Sequence, residues 1–165
     1  MKLLTKLSLL ACLALFSFSC STDSMDDKVD AITAENLVLP ATKTIEIEIL
    51  ELINNHRLSE GLNPLNNMTV IKSTAYSHTD YMVDNQAVSH ENFFARSNYL
   101  KANAGAKRVS ENVAYGFTSA DSVVKAWMKS EGHRKNIEGD YTDFEISAEQ
   151  DVDGRWYYTN IFIKK

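Results

Sequence analysis

The chain has 165 residues, of which 17 are lysine or arginine and 22 are aspartate or glutamate, so its formal net charge is −5. This length suits a single domain. A negative charge without a basic cluster disfavours nucleic acid as a partner, because binding to phosphates depends on lysine and arginine.

The first residues are typical of an export signal. Lys2 and Lys6 precede the apolar run LSLLACLALFSFSC, which is shorter than the ~18–20 residues that a membrane-spanning helix needs. The segment resembles the bacterial lipobox, in which a small residue precedes a lipidated cysteine, although Ser17 stands where leucine is usual. We therefore predict a lipoprotein signal peptide over residues 1–19 and lipidation of Cys20, which would anchor the chain in a membrane.

The mature chain is predicted to be acidic and free of disulfides. Removing 19 of 165 residues leaves 146, with 15 basic and 22 acidic side chains and a net charge of −7. Cys20 is then the only cysteine, so with its thiol lipidated the stability must come from packing. We expect a monomer.

Residues 20–43 are predicted to hold the lipidated cysteine and a flexible tether. The segment is polar, acidic at first, and contains Pro40 without a sustained hydrophobic period. Its DSMDD motif resembles surface-export signals of Bacteroidetes lipoproteins, while an ordinary solvated linker explains the same residues. We expect a lipoprotein at the bacterial outer membrane or cell surface, or otherwise a periplasmic or secreted protein.

Helical spacing of apolar residues begins the predicted domain, residues 44–165. The first helix starts at Thr44 and ends at EGLNPL, where Gly61 and Pro64 are stop signals. A second helix spans about Thr69 to Asn85.

Two more helices follow in the sequence. The third covers FFARSNYLKANAG, and the fourth begins after a cap at Ser119 or Asp121 and runs through Trp127. Because glycine in a helix costs about 1 kcal/mol relative to alanine, we expect the fourth helix to stop or bend at Gly132.

The strands lie mainly in the last quarter of the chain. The segments FEISAEQ and RWYYTNIFI are rich in β-forming residues and are joined through DVDG, where Asp153 and Gly154 form a hairpin signal. The earlier segment KRVSENVAYGF also favours a strand. Helices first and an antiparallel ribbon late predict an α+β fold with helices packed on a sheet.

Each of the four histidines has a structural explanation beside a functional one. His56 lies near the end of the first helix, where a cation complements the helix dipole, so we favour a structural role. His78 lies on the buried stripe of the second helix, either in the core or at the edge of a cleft. His90 follows in a loop, where a site role is favoured. His133, beside Arg134, fits a helix cap and a site equally well.

Glu111 is the acidic residue that most strongly indicates a site. Val109, Val113 and Tyr115 alternate with polar neighbours around it, which indicates a half-buried strand that carries a carboxylate inward. A buried carboxylate must find partners or become protonated, and histidines are natural partners. Such a group can perform general acid–base chemistry or bind a divalent ion such as zinc.

The spacing of these residues identifies no known local motif. His90 and Glu111 are 21 residues apart, and His133 follows after 22 more. The sequence contains no H-E-x-x-H, G-x-S-x-G or P-loop pattern.

Several segments together resemble the CAP superfamily of cysteine-rich secretory proteins, venom antigens and plant pathogenesis-related proteins, and most of all its bacterial branch without disulfides. The segments are LINNHRLSEGLNPL, Ser89-His90, ENVAYG from Glu111, VVKAWMKSEGHRKNI up to Ile137, and the closing YYTNIF. The resemblance implies an α-β-α sandwich of about four helices on an antiparallel sheet, with a cleft of histidines and glutamates that binds zinc in some members.

The resemblance also implies the site residues. His90 matches the first cleft histidine, Glu111 the glutamate of the E-N motif, and His133 the histidine of the bacterial GHR motif. These three are the predicted cleft residues and candidate zinc ligands. The secondary candidates are His78, Asn112, Ser130 and Arg134.

The chain departs from the family pattern at several points. Ser110 replaces the usual glycine before the E-N pair, and the later strand-borne histidine of animal and plant members has no counterpart. Glu131 and Asp143 are only candidates for a second cleft acid. These departures count against the full set of two histidines and two glutamates.

A hypothesis follows for the GHR segment. Arg134 and Asn136 are expected to fix the backbone turn, so that His133 is held toward the cleft floor near Glu111. The alternative is that all three residues of this segment form a helix-capping cluster.

Three functions are compatible with the sequence. We favour a binding module for a small apolar or lipid ligand, a glycan or a protein, because family members bind lipids or sterols and no activated nucleophile is evident. A hydrolase of peptide or cell-wall bonds, with or without zinc, is an alternative. A structural or host-interaction surface protein is another, and enzymatic activity stays open.

Overall fold

The computed structural model describes Thr33 and residues 37–165. The predicted signal peptide, Cys20 and most of the predicted tether lie outside the described residues, so lipidation stays a prediction. In the described part of the chain, no helix has the length and apolar character needed to cross a membrane.

The described chain contains five helices and four strands. The helices are α1 (Thr44–Ser59), α2 (Thr69–Asp84), α3 (Phe93–Ala104), α4 (Ala120–Lys129) and α5 (Glu131–Ile137). The strands are β1 (Asn66–Asn67), β2 (Arg108–Tyr115), β3 (Asp143–Gln150) and β4 (Trp156–Lys164). The structure has one helix more than the four predicted, because the GHR segment forms a helix of its own.

The strands form one mixed sheet in the order β1-β3-β4-β2. The predicted hairpin of β3 and β4 is confirmed, and β2 pairs antiparallel with the other side of β4. The sheet is not wholly antiparallel as predicted, since the two residues of β1 pair parallel with β3. The register places Glu111 opposite Ile161 in the middle of β2.

Helices cover both faces of the sheet. Successive residues of a strand point to opposite sides, so each strand contributes side chains to the core on either face. Tyr158 and Phe162 of β4 pack in one core with α1, α4 and α5. Ile161 and Ile163 point the other way and pack in a second core with α2 and α3. The α+β class and the α-β-α sandwich are therefore confirmed. Glu111 belongs to the face that α2 and α3 cover.

Arg57 ties the end of α1 to the end of α5. Its Nη1 donates to the carbonyl oxygens of Ile137 and Gly139 at 2.7 and 2.9 Å, and its Nε donates to a third carbonyl in the following loop. Beside it, His56 Nε2 lies 3.0 Å from Glu138 Oε1. The bonds of Arg57 satisfy a guanidinium that is only 2% exposed, and together with the His56–Glu138 contact they fix the end of α5 to the end of α1.

The break between α4 and α5 lies at Ser130, and the prediction that the helix stops or bends at Gly132 is wrong. Ser130 has φ −90° and ψ 119°, which is extended backbone, while its carbonyl already accepts from the amide of Arg134 in the next helix. Gly132 is the second residue of α5. Serine is a residue that favours helix boundaries, although the Ser130 side chain makes no capping hydrogen bond here.

Gly132→Ala is expected to raise the free energy of unfolding by about 0.4–1 kcal/mol, because a Cβ there meets nothing within 4 Å and alanine favours the helix. Gly139→Ala serves as the control, since its Cβ would lie 2.9 Å from the carbonyl oxygen of Lys135 and would clash with the Tyr141 ring. Urea denaturation of both variants makes the comparison. A destabilised Gly132→Ala variant would contradict the helical assignment.

Candidate functional site

Glu111 is the centre of a buried cluster on the α2–α3 face of the sheet. Its side chain is 1% exposed, and both carboxylate oxygens are hydrogen-bonded. Arg96 donates from Nε to Oε2 and from Nη2 to Oε1, each at 2.8 Å, and His90 Nδ1 lies 2.9 Å from Oε1. The strand therefore carries a carboxylate into the interior, as predicted, and a histidine and an arginine meet it there.

Arg96 is the member of the cluster that the sequence analysis missed. It lies in the first turns of α3 with its side chain 2% exposed, and its Nη1 donates to the carbonyl oxygen of Glu91 at 2.6 Å. A signal was present, because Arg96 shares one stripe of the helix with Leu100 and Ala104, both buried. A charged residue on an apolar stripe indicates a buried ionic partner.

The Glu111 carboxyl stays ionised although it is buried. Burial alone raises its pKa, but the hydrogen bond from His90 and the charge and hydrogen bonds of Arg96 outweigh burial and hold the pKa below its ordinary value. An ionised carboxylate only accepts hydrogen bonds, so the neutral His90 ring carries its proton on Nδ1. Nε2 of His90 is then the acceptor, on a side chain that is 52% exposed.

His78 belongs to the cluster as a buried neutral ring. Its Nε2 lies 2.8 Å from the carbonyl oxygen of Ser89 and 3.9 Å from Glu111 Oε1. Burial, followed by the charge of Arg96, lowers the pKa of His78 to about 4. Because the Ser89 carbonyl can only accept, the ring carries its proton on Nε2. His78 therefore supports the loop that leads into His90.

The protonation of His78 predicts a pH-dependent stability. The pKa of His78 is about 4 in the folded chain against 6.5 for the ordinary group, so the unfolded chain binds a proton at His78 first as the pH falls. The free energy of unfolding is therefore unaffected by this group above pH 6.5 and decreases as the pH falls from 6.5 toward 4. The total decrease is about 3 kcal/mol. We expect His78→Gln, which keeps a donor for Ser89, to lose most of this slope in urea denaturation. An unchanged slope would contradict the assignment.

His133 lies near the cluster without joining it. Within the described chain, the ion pairs of Glu111 are with His90, Arg96 and His78, and His133 makes none. Burial, and next the charge of His90, lower the pKa of His133. The predicted contact between His133 and Glu111 is therefore not observed; the GHR segment forms the helix α5 from Glu131 instead of a turn after Gly132.

Two asparagines attach α5 to the middle of β2. Asn112 Nδ2 donates to the carbonyl oxygen of His133 at 3.1 Å, and Asn136 Nδ2 donates to Asn112 Oδ1 at 2.8 Å and to the carbonyl oxygen of Glu111 at 3.3 Å. Asn136 thus fixes the helix α5 to β2, and not a backbone turn as hypothesised. Asn112, a predicted secondary candidate, orients backbone and does not face the carboxylate.

The remaining candidates lie outside the cluster. Arg134 Nη1 donates to the carbonyl oxygen of Met128 and so caps α4, as the capping alternative proposed, and Ser130 is the link between the two helices. Glu131 is exposed and pairs with Lys135, while Asp143 pairs with a lysine at the chain end. Neither acid reaches Glu111 to form a second cleft acid.

A small open pocket leads to the cluster. Its volume is about 240 Å³, and its lining residues are His90, Phe93, Val109, Ser110, Glu111 and Asn136. Ser110 Oγ is buried there without a hydrogen-bond partner among the described residues. Two larger grooves, of about 500 and 430 Å³, lie elsewhere, and no histidine lines either of them. Of these three pockets, the small one is therefore the one lined by a histidine.

The donor set does not fit a zinc ion. Zinc needs three or four nitrogen, sulfur or oxygen ligands around one point. Among the described residues, no group of three histidine, cysteine, aspartate or glutamate side chains is placed to hold a metal. Both oxygens of Glu111 are engaged by Arg96, and His133 lies apart from the carboxylate. The predicted triad of His90, Glu111 and His133 is therefore not assembled as a metal site.

The sandwich and its histidine–glutamate cleft define a class of protein domain that sequence comparison identifies directly. The model of the cysteine-rich secretory protein family, CAP, matches residues 50–160, and the chain belongs to this family.

Two relatives come from Bacillus subtilis. The chain is 31% identical over 126 residues to the uncharacterized membrane protein YlbC, covering 74% of this chain and 35% of that protein. It is 35% identical over 95 residues to the uncharacterized protein YkwD, covering 56% and 37%. The chain therefore spans about a third of the length of these relatives.

Solved structures have the same fold. An extracellular protein with an SCP domain from Bacillus anthracis is 26% identical, with a TM-score of 0.63 over 76% of this chain and 45% of that one. A cysteine-rich secretory protein from Staphylococcus aureus is 25% identical, with the same TM-score over 76% and 40%. An outer surface protein of Borrelia burgdorferi, 19% identical, has a TM-score of 0.68 over 78% and 98%, a likeness of fold alone.

Proposed function

We propose that the chain is a surface-attached or secreted binding domain, whose cleft accepts a small, neutral, mainly apolar group that donates a hydrogen bond to His90. One observation carries the proposal. Both oxygens of the Glu111 carboxylate are bonded by Arg96 or His90, while the half-exposed His90 ring offers Nε2 beside the apolar side chains of Phe93 and Val109.

The pocket limits the size and charge of the ligand. A volume of about 240 Å³ is below the ~300–1,000 Å³ of a site for a drug-sized molecule, so it suits one ring or short branch of a larger ligand. The opposite charges of Arg96 and Glu111 offset each other, so the cluster attracts neither an anion nor a cation strongly. A hydroxyl or amide N–H is the group that an acceptor nitrogen recognises.

The hydrolase alternative has less structural support. A hydrolase without metal needs a nucleophile or a water within reach of a base. Among the described residues, the His90 side chain has one hydrogen-bond partner, Glu111, and no serine, threonine or cysteine side chain bonds to it. The described part of the cleft therefore offers a base without a side-chain nucleophile bonded to it.

The extracellular location rests on the sequence and on relatives. Residues 1–19 are the proposed signal peptide and Cys20 the proposed lipid anchor. Similar proteins are described as a membrane protein, an outer surface protein and an extracellular protein, which supports a location outside the cytoplasm. In this proposal the tether displays the cleft away from the membrane, where ligands from the medium or from another cell surface reach it.

A nitrogen-15 NMR titration of residues 37–165 tests the binding proposal. The probes are cyclohexanol, N-acetylglucosamine and N-acetyl-alanine amide, which stand for an apolar alcohol, a glycan and a peptide. We expect at least one to give saturable shifts at His90, Ser110 and Asn136 with a Kd in the millimolar range, about −4 kcal/mol.

Two variants make the titration specific. His90→Phe should abolish the shifts because it removes the acceptor, while His56→Phe, which does not line the pocket and pairs with Glu138, should leave them unchanged. Saturable shifts that persist in His90→Phe would contradict the proposal. So would the absence of saturation with all three probes in the wild type.

A further inference from the structure

We infer that Arg96 is the resident cation of the cleft: its guanidinium occupies the position of a metal's charge, orients Glu111, and makes the site metal-independent. The inference concerns the cleft of the proposed function but rests on ion pairs alone, so its test requires no ligand. Arg96 is a positioning residue, since it acts on Glu111 and through Glu111 on His90.

The first argument is the occupancy of Glu111. An ionised carboxylate has about four acceptor positions on two oxygens. The planar fork of Arg96 takes one position on each oxygen at 2.8 Å, and His90 Nδ1 takes another at 2.9 Å. This bidentate pairing is the geometry for which a guanidinium is suited and a lysine is not. One acceptor position is left, on Oε2, so a metal that bound both oxygens of Glu111 would have to displace one of these donors.

The second argument is the commitment of the two nearest imidazoles. A metal binds a ring nitrogen through a free lone pair. His78 Nε2, 3.9 Å from Glu111 Oε1, carries the proton that it donates to the Ser89 carbonyl. His90 Nδ1 carries the proton that it donates to Glu111. The two ring nitrogens directed at the carboxylate are therefore both protonated, and neither has a lone pair for a cation there. His90 Nε2 keeps its lone pair, but within the described chain no group of three histidine, cysteine, aspartate or glutamate side chains is placed to complete a metal site.

The third argument is that Arg96 cannot leave the site. Its side chain is 2% exposed, and Nη1 donates to the Glu91 carbonyl oxygen at 2.6 Å, so all three kinds of guanidinium nitrogen are bonded. Arginine side chains are in general always charged in proteins. Its fixed positive charge next to the carboxylate repels a divalent cation in a region of low dielectric.

Zinc titration followed by nitrogen-15 NMR of the histidine rings tests the inference. In the wild type, micromolar zinc should leave the rings of His78 and His90 unshifted. Arg96→Met frees both oxygens of Glu111, with two imidazole nitrogens within 4 Å of one of them. This variant should bind zinc at these rings about tenfold or more tightly than the wild type.

Matched variants separate charge from fold. Arg96→Lys keeps the positive charge and should still exclude zinc, whereas Arg96→Met with Glu111→Gln should lose the acquired site. Wild-type zinc binding that shifts the ring of His90 would overturn the inference, and it is decisive even if Arg96→Met does not fold. A folded Arg96→Met variant that gains no zinc affinity would overturn it as well.

Discussion

Glu111→Ala is expected to lower the free energy of unfolding by about 3–5 kcal/mol, the cost of leaving one partner of a buried ion pair uncompensated. Arg96 is 2% exposed and would keep only its bond to the Glu91 carbonyl. The measurement is equilibrium denaturation in urea at neutral pH, where the Glu111 carboxyl is ionised in the wild type.

A double-mutant cycle isolates the pair. The double variant Arg96→Met with Glu111→Ala should lose less free energy of unfolding than the two single variants together. Each single variant leaves one buried charge without its partner, and the double variant leaves neither charge. Glu131→Ala, which breaks the exposed pair with Lys135, is the control and should cost less than about 0.5 kcal/mol. Additive effects of the two cluster mutations would contradict a direct ion pair between Arg96 and Glu111.

Lys72→Met is expected to have an effect of similar size on the other buried ion pair. Lys72 Nζ lies 2.6 Å from Glu46 Oε1 and donates to the carbonyl oxygen of Ile146 at 2.8 Å, and both charged side chains are at most 4% exposed. Glu46 also accepts from the amide of Ala148 on β3. Removing the ammonium leaves the carboxylate buried, so we expect a loss of about 3–5 kcal/mol in urea denaturation.

An exposed lysine on another helix provides the control for this substitution. Lys125 pairs with Asp121 four residues earlier, with side chains that are 69% and 61% exposed. Lys125→Met should change the free energy of unfolding by less than about 0.5 kcal/mol. Equal effects of Lys72→Met and Lys125→Met would mean that the Lys72–Glu46 pair is not buried as described.

The two buried ion pairs have related structural roles. Lys72 and Glu46 join α2 and α1 to β3, while Arg96 and Glu111 join α3 to β2. A mature chain whose single predicted remaining cysteine is lipidated cannot cross-link these layers with disulfides. The ion pairs instead fix which helix faces which strand, and the apolar cores on the two sides supply the favourable free energy of burial.

Periodicity was sufficient to predict most of the fold. Helices α1 and α2 were predicted from the spacing of their apolar residues. Strands β3 and β4 were predicted from their β-forming residues and from the turn between them. Both kinds of signal lie in the local sequence. The interior position of Glu111 also followed from alternation along β2. Two-residue β1 could not be predicted, because a pairing that short exists only through contact with β3.

The site was predicted less completely than the fold. His90 and Glu111 meet as expected, but Arg96 was missed and His133 does not reach the carboxylate. Which charged side chain neutralises a buried acid depends on how α3 lies across β2, and a single sequence carries little information about that packing. The direction of His133 depended on the helix break at Ser130, two residues before the glycine that marked it in the sequence.

The central claim is that an ionised Glu111, held by Arg96, fixes the tautomer of His90. Nitrogen-15 NMR of the His90 ring tests it directly at about pH 8, above the ordinary histidine pKa of about 6.5. The account predicts the proton on Nδ1 and a bare Nε2 in the wild type, with this preference lost in Glu111→Ala. A wild-type His90 that carries its proton on Nε2, or a ring unaffected by Glu111→Ala, would contradict the account.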